Sequence, residues 1–379
     1  MFILDKDQNE FNGDTPQNIN KNLSKATQIA FLAVICLLSF FSVVETVGIL
    51  GTVFTLAAAA MNILLAIEFG KSIPKLLLLL SVNVIPFAAM FLYSGYLSVA
   101  LLTLCPLALA LPIYLTMRMG LGRTASIASA AIVCFLLFAS HFALVIYNVY
   151  GALNIETIGT YIDEAFAPVA DEFSKLTAEI DGKTQPLFTE QTLDELFYYT
   201  KTMLIGSSAM MMLVFAYLAT LATRLLAGIF GVAHYLPTGL RVHVRAIMTA
   251  DGPKVEVSRE PVQWRIEIDS VTAWVYIAAY VASLLFAPID GNVGIVYLAL
   301  QNLVIILSPG FIYCALRDTV LMVRGKAQKG MLGRAMPILI VVLLFVDPSL
   351  VIMLFSILGV IVTIRENRAK KQALKNRKE

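Results

Sequence analysis

Five side chains able to hold a small polar molecule stand in otherwise apolar stretches of this sequence: Asn62, Asn83, His141, Gln301 and Asn302. Amides offer paired donors and acceptors, and an imidazole offers one of each or carries a proton. Inside a bilayer such groups are costly, so each is a starting point for function. Pro86 lies one turn beyond Asn83, and Gln301-Asn302 precede Ser308-Pro309-Gly310. Proline removes a backbone donor and exposes carbonyls, which in a membrane need protein partners or a wet cavity. The five residues are therefore expected to line a ligand pocket. The competing reading is that each joins two helices at a kink, and for His141 alone a hydrogen-bonding partner is the commoner role.

Other groups with chemical capacity read as structural. Glu45 falls at the outer end of the first apolar run, where water reaches it, and Glu68 lies beside Lys71 and Lys75, which favours an ion pair. Cys36, Cys105, Cys134 and Cys314 sit in apolar runs without paired or metal-type spacing. There is no G-x-x-x-x-G-K-S/T, no H-E-x-x-H and no G-x-S-x-G, and Gly120-Leu121-Gly122 is a tight turn with no strand before it. His234 and His243 lack a metal-like spacing. No nucleophile, base and orienting group assemble, so the chain is expected not to be an enzyme and to carry no cofactor or metal.

The elements that position these groups follow from composition. Of 379 residues, 59% are hydrophobic and 14% charged, with a mean hydropathy of +0.80. Soluble domains are about 25% charged. An all-α integral membrane protein is expected. Its orientation is fixed by residues 151–198, which hold ten acids against two bases, Lys175 and Lys183. Loops this poor in Lys and Arg stay on the outer face. Within it, Ile155, Ile158, Ile162, Phe166, Val169, Phe173, Leu176 and Ile180 recur every three or four positions, an amphipathic outer helix.

Residues 1–28 are a polar cytoplasmic tail, and 29–150 form a five-helix membrane block. Its first 41 apolar residues, 29–69, make a helical pair. The acidic extracytoplasmic segment spans 151–195 and a sixth membrane helix 196–230. A cytoplasmic insert, 231–269, follows. There Arg241-Val242-His243-Val244-Arg245 and Lys254-Val255-Glu256-Val257-Ser258 alternate around Asp251-Gly252-Pro253, which predicts a small β-hairpin. C-terminal membrane helices occupy 270–364. The run 335–364 would be about 45 Å as one helix, too long for a core of about 30 Å, so Asp347-Pro348 is read as the turn of a hairpin. About ten membrane helices result, with both ends inside. Residues 365–379 are a basic cytoplasmic tail. Seven bases and two acids lie beyond Ile364, and a partner in anionic lipid fits this tail better than nucleic acid does. Ala57-Ala58-Ala59-Ala60 allows close helix contact, more readily within the protein than with a partner.

The order of features resembles the YybS-like family of uncharacterised bacterial multi-pass membrane proteins. The resemblance covers about 29–368. It rests on the turn from Pro112 through Arg118 to Arg123, on Thr192-Leu193-Asp194-Glu195-Leu196, on Trp264-Arg265-Ile266, on the Gln301-Asn302 span, and on Leu358-Gly359 leading to Arg365 and Arg368. The family's N-terminal block is similar to the substrate-binding subunits of energy-coupling-factor vitamin transporters. The resemblance thus implies small-molecule binding or transport in a bacterial plasma membrane, with an ATPase as partner. The alternative is a membrane scaffold that recruits cell-envelope or division proteins through its acidic helix, its insert or its basic tail.

Overall fold

The computed structural model describes residues 23–44, 49–70, 72–180, 183–186, 190–232, 239–249, 252–262, 266–287, 294–326 and 348–376. Where water is absent every backbone N–H and C=O needs an internal partner, and the apolar runs accordingly fold as helices. The first six are α1 (Lys25–Val44), α2 (Ile49–Phe69), α3 (Ile73–Ser94), α4 (Leu97–Leu102), α5 (Cys105–Arg118) and α6 (Arg123–Tyr150). Then come α7 (Ile155–Ser174), α8 (Glu190–Thr202), α9 (Leu204–Ile229), α10 (Ser270–Leu285), α11 (Ile295–Lys326) and α12 (Pro348–Asn376). Among the described residues seven helical stretches are long and apolar enough to cross a membrane, with α4 and α5 together counting as one, and α10 is a shorter apolar helix. The chain is an all-helical, multi-pass membrane protein in its membrane part. That count differs from the expected ten. The first arm of the expected final hairpin, 335–347, lies outside the described residues, as do Glu45 and Lys71.

Local chemistry explains the ends. Pro74 and Pro106 stand in the first turns of α3 and α5, where a missing N–H is harmless. Gly95 ends α3 with φ 72°, a left-handed conformation costly for residues with a Cβ. Asn154 opens α7 with a reciprocal box: its Oδ1 accepts from Thr157 N at 2.8 Å, and its own N–H donates to Thr157 Oγ1 at 3.1 Å.

Three expectations are corrected. The fourth span, expected as one helix over 96–116, is interrupted, because α4 stops at Leu102 and α5 starts at Cys105. The outer amphipathic helix ends at Ser174, short of Leu176 and Ile180; Thr177–Ile180 instead pairs antiparallel with Lys183–Pro186. The sixth helix, expected to begin at 196 after an acidic segment, is two helices broken at Met203, and α8 already starts at Glu190. In the insert, Gly239–Thr249 and Gly252–Val262 pair antiparallel, with Val244 opposite Val257.

The helices pack as two groups. In the first, α2 lies against α1, α5 and α9, and α6 against α5 and α9. Ala59, Ile63, Leu109, Ile113, Ala130, Ala216 and Ala219 form its core. Ala58, Ala59 and Ala60 are fully buried, so this small-residue run is internal packing and presents no docking face. The second group is α10, α11 and α12, centred on Phe311, Tyr276, Ala273 and Val360. The two groups meet chiefly where α11 packs along α9. α11 and α12 run in the same direction, since Phe311 abuts Gly359 while Arg317 and Asp318 reach Glu366 and Arg365. Their backbones touch: a Cβ on Gly359 would collide with the Phe311 carbonyl. Large apolar side chains such as Leu92 and Ile295 face outward, as a lipid-facing surface requires.

Candidate functional site

The amide pair forms first. Asn62 on α2 and Asn83 on α3 are 1% and 0% exposed and bond each other reciprocally. Asn62 Nδ2 donates to Asn83 Oδ1 at 3.1 Å, and Asn83 Nδ2 donates to Asn62 Oδ1 at 2.8 Å. Each spends its second N–H on a carbonyl one turn back, Ala58 O at 3.0 Å and Leu79 O at 2.9 Å. All four amide protons are used, so the pair is a closed unit.

The other three predicted residues lie elsewhere. His141 on α6 donates from Nδ1 to the Ser98 carbonyl on α4 at 2.8 Å, between Phe138 and Phe142. Gln301 donates to Ser283 Oγ at 3.3 Å and ties α11 to α10. Asn302 spans the break between α8 and α9. Its Oδ1 accepts from Gly206 N at 2.6 Å, and its Nδ2 donates to Thr202 O at 3.1 Å and Leu298 O at 2.8 Å. A helix break leaves such donors and acceptors without intrahelical partners, and one amide serves both. Gly206 permits this approach, for a Cβ there would lie 2.6 Å from Asn302 Oδ1. The structure therefore brings Asn62 to Asn83 and leaves His141 and the Gln301-Asn302 pair at separate helix contacts. Each of the five has a protein partner.

The richest polar constellation is at the opposite end of the α9–α11 contact and was not singled out by sequence. Residues Ile266–Asp269 belong to no helix or strand and lead into α10, with Asp269 extended (φ −80°, ψ 165°). Thr124, at the start of α6, both donates to Glu267 O at 2.7 Å and accepts from Glu267 N at 2.8 Å. Arg317 on α11 donates to Ile266 O at 3.4 Å and pairs with Glu366 on α12 at 2.5 Å. Asn367 donates to Ile268 O at 3.0 Å, and Lys370 pairs with the Glu267 carboxylate at 2.9 Å. Three successive carbonyls are thus held by side chains from three helices. Asp269 then caps α10, accepting from Thr272 Oγ1 at 2.5 Å and Thr272 N at 2.8 Å, and these bonds hold its carboxyl below the usual aspartate value.

Beside this clamp Arg123 is 4% exposed. Its Nε and Nη2 donate to Thr220 Oγ1 at 3.0 and 2.8 Å, and its guanidinium lies 5.2 Å above the Tyr217 ring. Thr220 passes the chain on, donating to Tyr217 O at 2.7 Å. In sequence Arg123 looked like one more basic turn residue. Its burial depends on Thr220, 97 positions away.

The two faces differ in charge. One carries Glu156, Asp163, Glu164, Asp171 and Glu172 of α7, with Asp163 paired to Lys201 at 2.6 Å and Glu164 accepting from Tyr150 Oη at 2.7 Å. The other carries Arg118, Arg224, Arg317, Arg365, Arg368, Lys370 and Lys371. No cluster of three or more His, Cys, Asp or Glu suited to a metal occurs among the described residues. The arrangement can hold the segment Ile266–Asp269 by its backbone and join two helical groups there. Compared with protein-family models, curated proteins and solved structures, the chain matches none.

Proposed function

We propose that this chain is a membrane scaffold of a bacterial plasma membrane that offers its basic face to protein partners in the cytoplasm. The carrying observation is the clamp on Ile266–Asp269, in which Thr124, Arg317 and Asn367 hold consecutive backbone groups. A side-chain clamp of this kind orders the foot of the insert, and an ordered platform costs a partner less entropy to bind than a loose loop. The basic face is cytoplasmic by the bias of Lys and Arg toward that side, with both termini on it. The test replaces residues 239–262 by a short Gly-Ser linker and identifies, by mass spectrometry, proteins that co-purify from native membranes in mild detergent. The scaffold reading expects loss of envelope or division partners from a chain that stays folded. An unchanged partner set ends it.

A second reading, a substrate-binding subunit of a transporter, draws on the buried Asn62–Asn83 pair, whose amides could exchange one another for a polar ligand. Its signature in the same experiment is a stoichiometric ATPase pair.

A further inference from the structure

We propose that a groove between α5 and α6 seats one acyl chain of an anionic phospholipid, with the headgroup phosphate on Arg118. The groove has a volume of about 470 Å³ and is lined by Leu107, Leu111, Leu115 and Met119 on one side and Val133 and Leu137 on the other. That volume falls among ligand sites, which run to about 300–1,000 Å³. Its two hydroxyl-bearing residues are already engaged: Thr116 Oγ1 donates to Pro112 O at 2.7 Å, and Ser129 Oγ donates to Ser126 O at 3.1 Å. The groove exposes almost no polar surface, so a polar ligand would give up bonds to water that it could not replace, whereas a hydrocarbon chain loses nothing there.

A second helix fits less well than a lipid. Helices meet in membranes through small residues that let backbones approach, and the exposed residues of this groove, Leu111, Leu115, Met119 and Val133, are large, with Ala108, Thr116 and Ser129 lying deeper. Charge then selects the headgroup. Arg118 stands two turns beyond Leu111, on the same helical stripe, and is exposed in the last turn of α5. No Asp or Glu occurs between Glu68 and Glu156, so α5, α6 and their turn bring no carboxylate to it. Among the described residues no ion pair includes Arg118. The nearby Arg123 is turned inward onto Thr220. A guanidinium matches phosphate oxygens with two parallel bonds.

The test is native mass spectrometry of the full chain, delipidated and then offered dioleoyl phosphatidylglycerol and dioleoyl phosphatidylcholine in equal amounts. One phosphatidylglycerol per chain should survive activation that strips phosphatidylcholine. Arg118→Gln should lower that preference about fivefold, the equivalent of ~1 kcal/mol for one Arg at an anionic surface, while Arg118→Lys should keep most of it. Leu111→Trp should fill the groove and lose retention of both lipids. Should Leu111→Trp not fold, the exposed Arg118→Gln decides the matter alone. Equal retention of the two lipids by the unaltered chain, or a preference indifferent to Arg118→Gln, means annular lipid only and overturns the proposal.

Discussion

The two ends of the α9–α11 contact solve one problem in different ways. At the acidic end a neutral amide, Asn302, takes up the donor and acceptor left by a helix break. At the basic end the same two helical groups are joined by charged and hydroxyl side chains acting on the segment Ile266–Asp269. Charge and exposure set the contrast. The neutral Asn302 is part-buried and bonds three backbone groups, whereas the charged Lys370 and Glu267 side chains are about half exposed, where water can share their charge. The acidic end closes a break within the fold, and the basic end is the one we propose meets a partner outside it.

Substitutions sharpen that contrast, beginning with the packing on which both ends depend. Gly359→Leu should cause the largest loss, because α11 and α12 would have to separate around the Phe311 carbonyl. Overpacking costs about 1–3 kcal/mol and more when backbone is displaced, so the variant should fail to yield a monodisperse protein in detergent, with Gly359→Ala intermediate. Next, Asn62→Leu leaves the buried Asn83 amide short of its partner. An orphaned buried group costs about 1–3 kcal/mol. Asn62→Leu with Asn83→Leu should destabilise by less than the sum of the two single changes, and a double-mutant cycle followed by thermal unfolding measures the coupling.

Asn302→Leu should cost about 1–2 kcal/mol, with faster amide hydrogen exchange around Met203–Ser207, since that break rests on it. Arg365→Ala should cost only about 0.5 kcal/mol, as its pair with Asp318 is solvent-exposed on the Arg365 side. The smallest effect is that of pH on Asp269. Its carboxyl titrates lower in the folded chain than in the unfolded one, so its contribution is present above the usual aspartate value and is lost as pH falls through the folded value. The difference in melting temperature between the native chain and Asp269→Ala should therefore be full near neutrality and vanish below that range.

Much of this was legible in the sequence, for physical reasons that also mark where legibility stops. Apolar runs of membrane length report helices directly, and Gly95 and Pro74 mark turns through their own backbone preferences. The burial of Ala58 to Ala60 follows from small side chains in such a run. The break at Met203 was hidden, because it has no Gly or Pro beside it and is held by an amide 100 positions from Thr202, whereas Pro106 is a visible mark of the break at Thr103–Leu104. Likewise the five polar candidates were visible as anomalies, yet which of them would meet depends on helix packing. Asn62 and Asn83 share a contact because α2 and α3 are neighbours, whereas Ser98 lies close enough to satisfy His141 on its own. Arg317 and Glu366 lie just past the apolar stretches of their helices, and they meet because α11 and α12 continue beyond those stretches side by side.

The most direct measurement is co-purification from native membranes of a chain in which the clamp alone is cut, Thr124→Val with Arg317→Gln and Asn367→Leu. Residues 239–262 stay intact. If the clamp is what makes the insert a platform, this chain should lose the same partners as one lacking the insert, while Asn302→Leu at the other end should keep them. Full retention of partners by the clamp-cut chain, alongside their loss on Asn302→Leu, would contradict the assignment of the basic end as the working surface.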